Sequence, residues 1–146
     1  MSHMFCGARS FNRPVGDWDV SNVTNMGWMF SNSLTFNQPV NKWDVSSVTD
    51  LGCMFYHASA FNQDVGDWDV SNVTDMRAMF YSACAFNRPV GNWDVSNATN
   101  LYRMFRFAQC FNQDLTRWKM RHEANAIEML HGAYAMQRDN KPASLR

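Results

Sequence analysis

The chain has 146 residues, of which 46% are hydrophobic and 18% are charged. These proportions are typical of one globular domain, or at most two small ones, and they exclude an intrinsically disordered chain. Thirteen basic and thirteen acidic residues give a formal net charge of zero, which excludes the basic surface of a general nucleic-acid binder. No apolar run approaches the roughly 20 residues that a transmembrane helix needs, and no signal peptide is recognisable.

The charge is distributed unevenly along the chain. Residues 1–100 carry five basic and nine acidic residues, a net charge of −4, whereas residues 101–146 carry eight and four, a net charge of +4. This favours solvated ends of opposite charge, with head-to-tail association or a basic C-terminal docking patch as the alternative. Residues 1–3 are typical of a cloning scar, and residues 4–10 are typical of the end of a truncated repeat.

The sequence repeats every 25 residues without a slip. Complete units span residues 11–35, 36–60, 61–85 and 86–110, and a partial unit spans 111–118. The columns that mark the period are Phe11, Phe36, Phe61, Phe86 and Phe111, each followed by Asn; Trp18, Trp43, Trp68, Trp93 and Trp118; and Met4, Met29, Met54, Met79 and Met104, each followed by Phe. Such a period indicates stacked repeats, because one unit cannot bury its apolar face alone.

Each unit predicts one short helix and two extended pieces. In the third unit, Met76, Met79, Phe80 and Ala83 have the spacing of a buried helical stripe. Helices are therefore predicted at residues 24–33, 49–58, 74–83 and 99–108, and short strands at 62–65 and 68–70 and their equivalents. Stacked strands about 4.8 Å apart would form a parallel sheet. The predicted fold class is an α/β solenoid of about five coils.

The repeat resembles that of a known family. The string from Phe61 to Met76, FNQDVGDWDVSNVTDM, followed by Met79 and Phe80, is similar to the repeat of the BspA-like leucine-rich-repeat surface proteins of bacteria. It is closest to a branch long described as a domain of unknown function. The resemblance covers about residues 4–118. It implies a right-handed, leucine-rich-repeat-like stack, a cell-surface or secreted location, binding of other macromolecules and no characteristic catalytic residues.

The repeat pattern ends after Trp118. Apolar residues then follow at helical spacing; they are Ala124, Ile127, Leu130, Ala133 and Tyr134. We therefore predict a C-terminal capping helix at residues 119–138, followed by a loose tail at 139–146.

Two polar columns need hydrogen-bond partners if the coils stack. The first is Asn12, Asn37, Asn62, Asn87 and Asn112, which we expect to bond the backbone of its own and neighbouring turns. The second is Asp19, Asp44, Asp69 and Asp94, which we expect to accept N–H groups in Asx turns. A row of divalent cations is the alternative, but one Asp per coil supplies few oxygens, so neither a metal nor a cofactor is predicted.

No catalytic constellation is recognisable, so we do not expect an enzyme. His57 follows Cys53 by four residues and supplies at most half of a zinc site. Cys84 and Cys110 lie 26 residues apart, so one step of stacking brings them near enough for a disulfide to be considered. There is no nucleophile triad and no phosphate-binding loop.

Columns that vary between units are candidate binding surfaces. One lies on the outer side of the predicted helices, where aromatic residues and Arg are enriched, as they are at interface hot spots. Its residues are Trp28, Tyr56, Arg77, Tyr81, Tyr102, Arg103, Arg106 and Phe107. The alternative surface lies on the predicted strands. Its residues are Arg13, Gln38, Lys42, Gln63, Arg88, Gln113 and Arg117.

The sequence as a whole predicts a non-enzymatic repeat module that recognises a protein or another surface macromolecule. A structural spacer in a longer repeat array is the alternative, and an ice- or surface-binding solenoid using Thr24, Thr49, Thr74 and Thr99 is less favoured. We expect any self-association to be a homodimer through the N-terminal end, where the first coil exposes a sheet edge. The predicted capping helix would block head-to-tail stacking.

Overall fold

A computed structural model describes all 146 residues as a stack of turn-rich coils that repeat every 25 residues. It contains no α-helix and no β-strand. The only helical elements are two short 3₁₀ helices, Arg138–Asn140 and Ala143–Leu145. Neighbouring coils are joined by isolated parallel bridges that run along one column. The bridged residues are Asn25, Asp50, Asp75, Asn100 and Asn125.

The predicted α/β class is therefore wrong, because the segments predicted as helices form successive turns. Within the third coil, the Tyr81 N–H donates to the Ala78 carbonyl three residues earlier, at 3.1 Å. The neighbouring Phe80 N–H donates instead to Met104 of the next coil, at 2.8 Å. This alternation recurs in every coil. It pairs donors that a helix of only two turns would leave without an internal partner at its N-terminus.

Left-handed backbone conformations explain why no right-handed helix can run through these segments. Two residues per coil have positive φ, and they are four positions apart. They are His3, Trp28, Cys53, Ala78, Arg103 and Glu128 in the first column and Gly7, Asn32, His57, Ser82, Phe107 and Gly132 in the second. A side chain in this conformation costs roughly 1–2 kcal/mol, so contacts between coils must offset the strain.

The predicted strands are also absent, because the relevant residues turn and bond mainly through side chains. The Trp68 N–H closes a turn onto the Val65 carbonyl at 3.2 Å. Pro39 and Pro89, in the same part of other coils, have no N–H to give to a backbone ladder. Between coils, the Asn37 Oδ1 accepts the Asn62 N–H at 2.9 Å, so the Asn column does part of the work expected of a sheet.

The core consists of aromatic columns that run through the stack. Successive Phe rings in each of two columns lie 5.5–6.0 Å apart, as in Phe55–Phe80 (5.6 Å) and Phe61–Phe86 (6.0 Å). Within a coil the two columns touch, with the Phe55 and Phe61 centroids 3.8 Å apart. Trp68 is buried, and its Nε1 donates to the Val40 carbonyl of the preceding coil at 3.1 Å.

The predicted C-terminal capping helix is wrong for the same reason as the others. Residues 119–138 repeat the turn pattern of the preceding coils, with left-handed conformations at Glu128 and Gly132. Residues 139–146, expected to be loose, contain most of the two 3₁₀ helices and bury Pro142. At the other end, the amino group of Met1 donates to the Asn25 carbonyl at 2.9 Å.

Truncation of a central Trp should be strongly destabilising. Trp68→Ala removes a buried aromatic side chain and should lower the free energy of unfolding by about 3–5 kcal/mol. Trp68→Phe keeps most of the apolar contact but leaves the buried Val40 carbonyl unpaired, and should cost about 1–3 kcal/mol. Urea unfolding would measure both changes. Two equal losses would show that the Nε1 bond contributes nothing.

Replacing a strained residue by Gly should stabilise the fold. Ser82 has φ 53°, so Ser82→Gly relieves the left-handed strain while adding freedom to the unfolded chain. The expected net gain is up to about 1 kcal/mol. Ser47→Gly is the matched control, because Ser47 is exposed and does not have positive φ; this change should destabilise. Calorimetric midpoints that move in the same direction for both variants would contradict the strain argument.

Candidate functional site

A row of half-exposed aromatic rings crosses the coils on the side that carries the left-handed residues. We name Trp28, Tyr56, Tyr81, Phe107 and His131 the aromatic ribbon. The Tyr56 and Tyr81 rings are stacked, with centroids 4.8 Å apart. Phe107 meets Tyr81 and His131 edge-on, at 5.7 Å in each case. The ribbon is continuous from the first complete coil to the last turn segment.

The backbone does not dictate which side chains the ribbon carries. Trp28 and Phe107 have φ of 62° and 59°, a conformation that is rare for bulky residues. The equivalent positions in other coils hold Cys53, Ala78 and Ser82 with the same conformation. Residue type therefore changes from coil to coil while the local structure stays constant, which distinguishes this surface from the invariant Phe columns.

Arginines pack against the C-terminal half of the ribbon. The Arg103 guanidinium lies 4.5 Å from the Tyr102 ring centroid, and that of Arg106 lies 4.8 Å from the Phe107 centroid. Both arginines pair with Glu128, with Arg103 Nε 2.6 Å from its carboxylate. The hydrogen bond from Arg103 lowers the pKa of Glu128. Two cations sharing one carboxylate leave this end of the ribbon positively charged.

The predicted helix-face residues are not equally available to a partner. The Phe107 ring occupies the space that a Cβ on Gly132 would need, with its Cδ1 only 2.3 Å from that position, so part of its role is packing between coils. Tyr81 and Tyr102 are half-exposed, and Arg77 is exposed while its Nη1 binds Asp75 Oδ2 at 2.7 Å. The sequence analysis missed His131, although its column, 25 and 50 residues after Arg106 and Tyr81, was a usable signal.

Most of the alternative surface residues already bond to the stack. Gln63 Nε2 donates to both the carbonyl and the Oδ1 of Asn37, each at 3.0 Å. Gln38 and Gln113 make the same pair of bonds to Asn12 and Asn87. Arg88 Nε donates to the Asn62 carbonyl, Arg117 Nη1 contacts Asn92 Oδ1, and Lys42 lies 3.7 Å from Asp17. Arg13 is exposed and makes no hydrogen bond within the chain.

The Asp column forms Asx turns, as the sequence analysis expected. Asp69 Oδ1 accepts the Ser71 N–H at 3.1 Å and the Ser71 hydroxyl at 2.6 Å. These bonds stabilise the carboxylate and lower the pKa of Asp69, as equivalent bonds do for Asp19, Asp44 and Asp94. No group of three or more His, Cys, Asp or Glu side chains is arranged to hold a metal ion.

Cys53 and His57 face different conditions from those of a metal pair. Cys53 is buried, and burial raises the pKa of its thiol to about 11. His57 is half-buried and packs against Tyr56 and Tyr81, at 4.6 and 5.5 Å between centroids. Partial burial lowers the pKa of its imidazole. His57 therefore belongs with the aromatic ribbon as a flanking ring.

The fold and this surface define a repeat protein of stacked 25-residue coils with an invariant core and a variable aromatic face. Residues 1–84 and 40–143 match the family described as Mycoplasma protein of unknown function, DUF285. The two matches together cover most of the chain, which therefore belongs to this family. No curated protein and no solved structure matches it. None of its helices has the length and apolar character needed to cross a membrane.

The Asx turns predict how stability depends on pH. Because their folded pKa lies below the usual value of 3.8, these carboxylates stabilise the fold above that pH, and the contribution is lost as the pH falls through the folded pKa. Asp69→Asn keeps an oxygen that accepts the Ser71 N–H but cannot titrate. Its urea midpoint should therefore fall less than that of the unmodified protein between neutral pH and about pH 3.

Asp67→Asn is the matched control for this experiment, because Asp67 is exposed and accepts no hydrogen bond within the chain. It should leave the pH dependence close to that of the unmodified protein. Identical pH profiles for Asp69→Asn and Asp67→Asn would refute the stabilising role of the Asx carboxylate.

Proposed function

We propose that this chain is a non-enzymatic recognition module that binds a protein or another surface macromolecule through the aromatic ribbon. The observation that carries the proposal is a continuous, half-exposed row of aromatic side chains at positions where the core does not require them. Trp, Tyr and Arg are the residue types most enriched at interface hot spots. Tyr81 and Tyr102 combine large contact area with few rotatable bonds, so ordering them on binding costs little entropy.

The chemistry of the ribbon favours an edge-on contact with a partner. Tyr56 and Tyr81 stack on each other, so their inner faces are not free for a flat ligand. Their hydroxyl-bearing edges and the cationic Arg103–Arg106 end remain for hydrogen bonds and for acidic groups. These features support a partner with polar and acidic groups around an apolar patch, as on a protein surface.

A cell-surface location is part of the same proposal. It rests on the resemblance of the Phe61–Phe80 motif to BspA-like surface proteins. The spacer alternative has a different basis, since the Phe columns and Asn bonds alone would make a stiff connecting element. The Thr column gives little support to ice binding, because the Thr74 hydroxyl already donates to the Thr49 carbonyl at 3.2 Å.

Binding by ribbon variants tests the proposal. The immobilised chain would be incubated with surface extracts, and every protein or polysaccharide retained would then be titrated against purified variants. Tyr81→Ala and Tyr102→Ala should each weaken the genuine partner about tenfold or more, the effect of losing roughly 1.4 kcal/mol at a hot spot. Arg13→Ala and Lys42→Ala, on the other surface, should leave affinity unchanged.

The pattern of losses separates the alternatives. A partner lost with Arg13→Ala or Lys42→Ala but kept by both tyrosine variants would place the site on the opposite surface. Retention of nothing that binds saturably by the wild-type chain would support the spacer. Circular dichroism and urea midpoints of each variant would show whether a loss reflects binding or unfolding.

A further inference from the structure

Two cysteines meet at the outer turns of neighbouring coils. The Cys110 N–H donates to the Cys84 carbonyl at 3.2 Å, and the equivalent bond joins Ala85 to Ser59 one coil earlier. Cys84 is half-buried and Cys110 is exposed. This contact fixes the two residues against each other at every moment that the coils are stacked.

The spacing of the two residues suits a disulfide. Coils about 4.8 Å apart and consecutive Cα atoms about 3.8 Å apart place the Cα atoms of Cys84 and Cys110 about 6 Å apart, within the range that a disulfide bridges. Side chains in these two columns also turn toward the neighbouring coil. Thr35, equivalent to Cys110, places Oγ1 3.1 Å from the Arg9 carbonyl, and Ser59, equivalent to Cys84, donates to Leu34 at 3.2 Å.

The other two cysteines lack this arrangement. Cys53 is buried in the core, and burial raises the pKa of its thiol to about 11, so little of the reactive thiolate forms. Cys6 is exposed but lies in the first partial coil, several coils away from Cys110. Cys84 and Cys110 are therefore the only cysteines that adjacent coils bring together.

We infer that Cys84 and Cys110 form a reversible disulfide that links two adjacent coils, with a small-molecule disulfide such as oxidised glutathione as the oxidant. The exposed Cys110 thiolate attacks one glutathione sulfur, which gives a mixed disulfide and releases one reduced glutathione. The Cys84 thiolate then attacks the Cys110 sulfur, which forms the Sγ–Sγ bond and releases the second. Both cysteine protons end on the two glutathione thiols, and the two electrons lost by the cysteines reduce the glutathione disulfide.

The link would act beside the proposed recognition surface. Cys84 Sγ lies 3.4 Å from the Ser82 carbonyl, and the Ser82 N–H donates to Arg106 of the next coil at 2.8 Å. The disulfide therefore ties the coil that carries Tyr81 to the coil that carries Phe107. Its formation depends only on the stacking of the coils, so it stands or falls independently of the partner-binding proposal.

Peptide mapping in glutathione redox buffers tests the inference. The whole chain would be equilibrated with oxidised and reduced glutathione, quenched with acid, alkylated and digested without reduction. We expect peptides linked through Cys84 and Cys110, with Cys53 recovered as a free thiol. Cys84→Ser should stop at a mixed disulfide of Cys110 with glutathione, whereas Cys6→Ser should leave the internal link unchanged.

Repeating the equilibration in urea distinguishes the folded geometry from chance encounter. If stacking presents the two thiols to each other, the equilibrium constant for the internal disulfide should be about tenfold or more higher in the folded protein than in urea. Equal constants in the two conditions would overturn the inference. So would mixed glutathione disulfides on both cysteines of the folded wild-type chain, or a Cys110–Cys110 link between chains.

Discussion

The 25-residue register between coils is the constraint on which the rest of the structure depends. Alternate N–H groups in each coil, such as that of Phe80, donate to the following coil, and the same translation aligns the Phe rings, the Trp68 Nε1 bond and the Asn column. A shift of one residue would break all of these contacts at once, because each occurs once per coil. Stability is therefore cooperative between neighbours, as expected for a repeat protein whose single units cannot bury a core. The absence of any slip in the sequence follows directly.

The sequence predicted the buried positions better than the backbone that presents them. Met76, Met79, Phe80 and Ala83 are all buried, as the helical spacing required, yet the segment is a series of turns. Two left-handed residues, Ala78 and Ser82, interrupt it. Neither residue type favours that conformation, so no local signal existed, and it is the hydrogen bonds to the next coil that decide the outcome. The Asx turn at Asp69 was predictable because its partner, Ser71, lies two residues away.

The same limit applies to the candidate site. The aromatic and Arg columns were visible in the sequence, but their mutual contacts were not. That Tyr56 stacks on Tyr81, or that Phe107 fills the space above Gly132, depends on side-chain directions at left-handed residues. The roles of Gln38 and Gln63 were missed for a related reason. Their amides bond to Asn residues 26 positions earlier, so they support the stack although their composition is typical of a solvated surface.

The left-handed columns link stability to the proposed recognition role. Gly would be the least strained residue at each of these positions, and Gly7 and Gly132 show that the coils accept it. The positions between them instead carry Trp28, His57, Phe107 and other side chains, each at an energetic cost. The repeated Phe and Trp contacts of the core offset that cost, since every coil contributes them. A regular core can therefore tolerate a strained surface whose side chains differ from coil to coil, and such a surface is what a recognition module requires.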